Sequence, residues 1–88
     1  MEARALVAWN LRRLRVQRGR SQEALALDAS IDRTYVSRLE RGLENPTVGV
    51  LEELAAALEI QIAEFFVEPQ PGEARPVPLR GGRRPRRS

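Results

Sequence analysis

The 88-residue sequence contains no cysteine and no histidine. The absence of cysteine excludes disulfide bonds, thiolate metal sites and a cysteine nucleophile. Histidine is the commonest general base and metal ligand of proteins, so its absence argues against hydrolytic and zinc chemistry. We therefore expect no enzyme, no bound metal and no cofactor.

Long apolar runs are missing as well. The longest run near the amino terminus extends from Ala5 to Trp9 and is bounded by Arg4 and Asn10. It is far shorter than a signal-peptide core or a membrane span. The sequence therefore favours a cytoplasmic protein that has no membrane partner.

Lysine is also absent, and the arginines are unevenly balanced by acids along the chain. Residues 1–67 hold nine Arg against ten Asp and Glu, whereas residues 68–88 hold six Arg against two Glu. The second segment contains five of the six prolines and shows no apolar periodicity. We predict one domain over residues 1–67 and a disordered basic tail over residues 68–88, whose arginines would bind phosphates without selecting a sequence.

Apolar residues recur at helical spacing in five segments, with no sign of a strand, which predicts an all-α domain of five helices. Ser21, Asp32 and Thr47 are the predicted N-caps of helices two, three and four, and Gly19 and Gly42 are suited to end helices one and three. The predicted buried stripes are Val7, Leu11 and Leu14; Leu25, Ala26 and Ala29; Val36 and Leu39; and Val48, Leu51, Leu54, Ala55 and Leu58. A short fifth helix within residues 62–67 is predicted to present Ile62, Phe65 and Phe66.

The junction between helices two and three is very short. Only Ser30 and Ile31 separate the second apolar stripe from the N-cap Asp32, so the two helices must cross at a steep angle. This arrangement is typical of a helix-turn-helix, whose second helix can enter the DNA major groove. At 100° per residue, one polar arc of helix three holds Arg33, Thr34, Ser37, Arg38 and Arg41.

The residues in and around this unit resemble a known family. The segment from Val7 to Ala26, then D-R-T-Y-V-S-R-L-E-R-G and N-P-T, is similar to the Cro/repressor (XRE) family of helix-turn-helix regulators. Small controllers of restriction-modification systems are a particularly near likeness. The resemblance implies a compact five-helix, lambda-repressor-like DNA-binding domain that places helix three in the major groove of double-stranded DNA.

The resemblance also implies roles for single residues. Gln22 matches a glutamine that grips a phosphate, and Arg15 and Glu40 match a partly buried structural ion pair. Asn45 and Thr47 match phosphate-contacting positions, with the shaping of a turn and a helix cap as the alternative. The base-facing positions are Arg33, Thr34, Ser37 and Arg38.

Three further residues in and beside helix three carry expectations of their own. Arg41 completes the polar arc and is expected to contact a phosphate. Tyr35 flanks the arc and either reaches a phosphate through its hydroxyl group or packs beside the turn. The turn position that is commonly glycine in the family is Ser30 here, so either a serine adopts a positive φ angle or the turn is reshaped.

The function expected from these features is sequence-specific transcriptional regulation by a nucleoid-associated homodimer on a palindromic operator. Ile62, Phe65 and Phe66 are the candidate dimer interface, and packing inside the monomer is their alternative role. The alternative function is an antitoxin-like interaction module that binds a partner polypeptide and regulates its own operon. No sensor domain is visible, so we expect no small-molecule effector.

Overall fold

The computed structural model describes residues 1–70, which form four α-helices and one 3₁₀ helix and contain no strand. The all-α prediction is confirmed. The predicted fifth α-helix is wrong, because its five residues form a 3₁₀ helix that is too short for an α-helical hydrogen-bond ladder. Beyond residue 70, the predicted basic tail lies outside the described residues. The elements are α1 (Ala3–Gln17), α2 (Gln22–Ala29), α3 (Arg33–Glu40), α4 (Val48–Leu58) and the 3₁₀ helix (Ile62–Phe66).

The three predicted N-caps are confirmed. Ser21, Asp32 and Thr47 accept hydrogen bonds from backbone N–H groups in the first turns of α2, α3 and α4, at 3.0, 2.8 and 3.1 Å. Each bond satisfies a donor that has no partner within the helix. The helix starts are therefore fixed by side chains that are adjacent in sequence.

The turn between α2 and α3 contains a residue in the left-handed region. Ser30 has φ 58° and ψ 45°, and the N–H of Ile31 donates to the carbonyl oxygen of Ala26 at 2.9 Å. A residue with a Cβ atom pays about 1–2 kcal/mol for this conformation, which glycine adopts freely. Of the two alternatives for this turn, the structure has the positive φ angle at serine.

The hydrophobic core takes side chains from all four α-helices and from the 3₁₀ helix. Val48 does not join it and is 68% exposed, which corrects the predicted stripe of α4. Its position lies at the edge of the arc centred on Leu51 and Leu58, in the first turn of the helix. The core consists of Val7, Leu11, Leu14, Leu25, Ala26, Ala29, Val36, Leu39, Leu51, Leu54, Ala55, Leu58 and Phe65.

A buried asparagine joins the carboxyl-terminal segment to α1. The Nδ2 atom of Asn10 lies 2.9 Å from the carbonyl oxygen of Phe65 and 2.8 Å from that of Val67. Its Oδ1 atom accepts from Nε of Arg13 at 3.1 Å. The Phe65 side chain is fully buried, so the 3₁₀ helix is held by one aromatic ring and one amide group.

We predict that Asn10→Ala destabilises the protein by about 1–3 kcal/mol, because the buried carbonyl group of Phe65 loses a donor that water cannot readily replace, and the partly buried bond to Val67 is lost with it. Chemical denaturation followed by circular dichroism measures this loss. Asn45→Ala is the matched control, since Asn45 is exposed, and its midpoint should stay close to that of the wild type. Equal midpoints for the two variants would contradict the role given to Asn10.

Candidate nucleic-acid interface

Helix α3 has one face in the core and one face in solvent. Val36 and Leu39 are fully buried, and this apolar side fixes the rotation of the helix about its axis. Four of the five residues in the predicted polar arc are exposed, and the fifth, Ser37, is half-buried. The structure therefore brings all five predicted residues to one accessible surface: Arg33, Thr34, Ser37, Arg38 and Arg41.

A buried ion pair joins the carboxyl-terminal end of α3 to α1. Nε of Arg15 donates to Oε2 of Glu40 at 2.6 Å, and its Nη2 donates to Oε1 at 3.0 Å. The Glu40 side chain has no exposed surface and that of Arg15 has 3%. A bidentate guanidinium–carboxylate pair fixes both distance and orientation, so it sets how α3 lies against α1.

Two further groups converge on the same carboxylate. Nε of Arg12 lies 3.3 Å from Oε1 of Glu40, and Nε2 of Gln22, the first residue of α2, donates to Oε1 at 3.1 Å. Glu40 thereby joins α1, α2 and α3. The geometry leaves one amide hydrogen and the amide oxygen of Gln22 outside this network, at the amino-terminal end of α2, where backbone N–H groups lack helical partners.

The loop between α3 and α4 carries the remaining predicted phosphate contacts. Thr47 caps α4, as its alternative role predicted, and its hydroxyl hydrogen is still able to donate because the cap uses the oxygen as an acceptor. Asn45 is exposed in this loop. Polar donors of this kind beside α3 suit a phosphate backbone that runs along the groove edge.

Of the two roles considered for Tyr35, the structure shows the packing role. Its ring packs against the core while the residue remains partly exposed. Burial, and to a smaller extent the negative charge of Glu44, raise the pKa of Tyr35 above its usual 10.0. Both causes favour the protonated phenol, which carries an O–H donor.

Glu44 is a charged neighbour of α3 that the sequence patterns did not reveal. Its Oε2 accepts from Nε of Arg38 at 2.7 Å, and Nη2 of Arg38 lies 3.4 Å from the carbonyl oxygen of Leu43. The two charged residues are six apart in sequence, across the end of α3. No helical spacing rule covers such a pair, since its geometry depends on the path of the loop.

Asn10 was also missed, although a signal for it existed. It lies three residues after Val7 and four before Leu14, so helical spacing places it on the buried face of α1. A polar residue at such a position requires hydrogen-bond partners. Besides the local partners Leu6 and Arg13, two of its partners are 55 and 57 residues away, which is beyond any local pattern.

The three residues predicted to form a dimer interface differ in their exposure. Phe65 lies inside the monomer, fully buried, so its side chain serves the core of one chain and cannot be offered to a second. Ile62 is partly exposed, and Phe66 is 44% exposed. Val67 beside them is 49% exposed, so the apolar side chains left partly or largely exposed at this end of the domain are Ile62, which also packs against the core, Phe66 and Val67.

Residues 1–70 lack the features of two other kinds of site. This part of the chain has no cluster of acidic side chains suited to a metal ion. None of its helices has the length and hydropathy needed to cross a membrane.

Residues 11–65 match the HTH_3 family model, whose description is helix-turn-helix. The "Neisseria hypothetical transcription factor" of Neisseria meningitidis serogroup B is 42% identical over 69 residues, which cover 78% of this chain and 65% of that protein. The chain thus spans slightly less than two thirds of this relative.

Two solved structures of restriction-modification controller proteins are also similar. C.AhdI from Aeromonas hydrophila has a TM-score of 0.70 and 40% identity, with 72% of this chain and 96% of that chain covered. The C.Esp1396I tetramer in complex with its natural 35 base-pair operator has a TM-score of 0.69 and 33% identity, with coverage of 75% and 87%. The likeness to small controllers indicated by the sequence is thereby confirmed.

We predict that Arg15→Ala lowers the free energy of unfolding by up to about 3–5 kcal/mol, because Glu40 stays buried without its bidentate partner. Arg15→Lys should lower the free energy of unfolding by less, since an ammonium group restores the charge but not the two parallel bonds. Urea denaturation measures both changes. Arg4→Ala is the control, as Arg4 is exposed and such a surface charge contributes little; a loss as large as that of Arg15→Ala would contradict the assignment.

Proposed function

Because the chain belongs to the XRE family of helix-turn-helix proteins, we propose that it is a transcriptional regulator that reads a specific DNA sequence with α3. The observation that carries this proposal is the division of α3 into a buried apolar face and an exposed face with two arginines, to which Arg41 at the C-cap adds a third. The core fixes the first face, so the second is presented to a groove as a rigid surface. The major groove of B-DNA is wide enough to admit such a helix.

The exposed face contains groups suited to base recognition. Arg33 and Arg38 each carry a planar guanidinium group that can pair with O6 and N7 of guanine. Thr34 and Ser37 offer a hydroxyl group to a base edge, and the Thr34 methyl group can contact thymine. We therefore assign base reading to these four residues.

A second group of residues borders this face and is assigned to phosphates. Their donors are amide, hydroxyl and guanidinium groups, which are the usual partners of phosphate oxygens. Contacts of this kind position α3 in the groove but add similar affinity to every DNA sequence. The group consists of Gln22, Tyr35, Arg41, Asn45 and Thr47.

The same proposal includes a homodimer that binds a two-fold related operator in the cytoplasm. A helix-turn-helix dimer places its two recognition helices about 34 Å apart, one turn of DNA. The exposed apolar surface of Ile62, Phe66 and Val67 supports this assembly, because burial of such residues is favourable. The operator complex of the C.Esp1396I tetramer shows that a similar chain acts on DNA as an oligomer.

We predict that Arg33→Ala and Arg38→Ala each weaken binding to the preferred site by about 1–3 kcal/mol and relax base preference at one position. Gln22→Ala should instead weaken cognate and random DNA to a similar extent, since it removes a phosphate contact. The preferred site is first selected from random DNA, and single-base variants are then compared in competition binding. Unchanged base preference in both arginine variants would contradict the assignment of α3.

We predict that the protein sediments as a dimer at micromolar concentration and that Phe66→Glu yields monomers. The added carboxylate would be buried in an apolar interface without a partner, which is strongly unfavourable. Leu27→Glu is the control, because Leu27 is 76% exposed on α2, outside the proposed interface. Sedimentation of a monomeric wild-type protein, or equal effects of the two variants, would contradict the interface; a co-purifying foreign polypeptide would favour the antitoxin-like role.

A further inference from the structure

The salt bridge between Arg38 and Glu44 lies on the surface that we assign to DNA. Both side chains are partly exposed, 45% for Arg38 and 28% for Glu44, so the pair is accessible to a ligand. Two bonds, to the Glu44 carboxylate and to the Leu43 carbonyl oxygen, draw the guanidinium group toward the loop after α3. A residue assigned to base reading is thus restrained by an acidic neighbour.

We propose that Glu44 determines specificity by restraining the guanidinium group of Arg38, so that Arg38 pairs with a guanine edge and not with any phosphate within its reach. The proposal rests on the proposed function, since it requires α3 to lie in the major groove. Glu44 acts through Arg38 and is therefore a positioning residue.

The chemistry of arginine explains why such a restraint is useful. An unrestrained arginine side chain is long and flexible, and its charge attracts every nearby phosphate, which adds affinity without sequence information. A carboxylate at Nε offsets that charge and occupies one edge of the guanidinium plane. The Nη groups still provide donors for O6 and N7 of guanine, and this bidentate pairing benefits from a fixed orientation.

The partly exposed Glu44 carboxylate, which binds Arg38, also acts electrostatically on a second residue of this surface. Its negative charge contributes to the raised pKa of Tyr35, another residue on the edge of α3. Glu44 therefore lies among residues assigned to DNA, where its own charge repels phosphates. The restraint of Arg38 reduces binding to DNA that offers no guanine at the position it reaches, whereas the repulsion of phosphates acts on all DNA alike.

The test compares the full-length wild type with Glu44→Gln and Glu44→Ala on the selected site and on random DNA, at several salt concentrations. Glutamine keeps the shape but removes the charge, and alanine removes the bond altogether. We expect the affinity for random DNA to rise about two- to fivefold, more for alanine than for glutamine. This factor corresponds to the strength of an exposed ion pair, which the substitution breaks. The salt slope on random DNA should steepen by about 0.9, the value for one additional phosphate contact. Affinity for the selected site should not rise.

Glu53→Gln is the matched control, since Glu53 is exposed on α4 and the substitution changes the net charge equally. It should leave the ratio of selected-site to random-DNA affinity unchanged. In an Arg38→Ala background, Glu44→Gln should no longer alter that ratio, because the residue through which it acts is gone. Circular dichroism of each variant verifies that the fold is retained.

Three results would overturn the proposal. An equal gain in affinity for both DNAs would mean general charge repulsion. A loss of affinity confined to the selected site, with an unchanged salt slope on random DNA, would mean direct contact of Glu44 with the operator. A change in the affinity ratio that persists in the Arg38→Ala background would mean that Glu44 acts by another route. A wild type that selects no site would instead refute the proposed function. In that case the random-DNA slope of the Glu44 variants still measures whether the carboxylate restrains Arg38.

Discussion

The buried carboxylate of Glu40 is the constraint on which the arrangement of the first three helices depends. Desolvation of a carboxylate is costly unless charged and hydrogen-bonding partners surround it. Here those partners are Arg12 and Arg15 on α1 and Gln22 on α2. Since Glu40 is the last residue of α3, satisfying its charge also fixes the end of the helix that carries the proposed base-reading residues.

This constraint matters because α3 has only eight residues. Helices shorter than about 12–15 residues are marginal in water by themselves, so α3 depends on its surroundings for both order and position. The Asp32 cap secures its beginning, and Val36 and Leu39 anchor one face in the core. The ion pair adds direction to this anchoring, since apolar packing alone does not favour one orientation as strictly as a bidentate pair.

The carboxylates of Glu40 and Glu44 have different roles. Inside the protein, Glu40 neutralises two arginines and serves the fold. On the surface, Glu44 binds an arginine that we assign to base reading. It partly neutralises a positive charge that would otherwise raise the affinity for DNA of any sequence. A regulator needs a difference in affinity between its operator and other DNA, and our proposal gives Glu44 a part in that difference.

The sequence alone determined the features that depend on neighbours along the chain. Capping by Ser21, Asp32 and Thr47 and the polar arc of α3 follow from local hydrogen bonds and helical periodicity, and the family motifs added the ion pair of Arg15 with Glu40. Tertiary structure decided the burial of Phe65, its link to Asn10 and the pairing of Arg38 with Glu44. Each of these contacts depends on the path by which a loop or the terminal segment packs back against the domain. Such contacts leave no periodic pattern in the sequence.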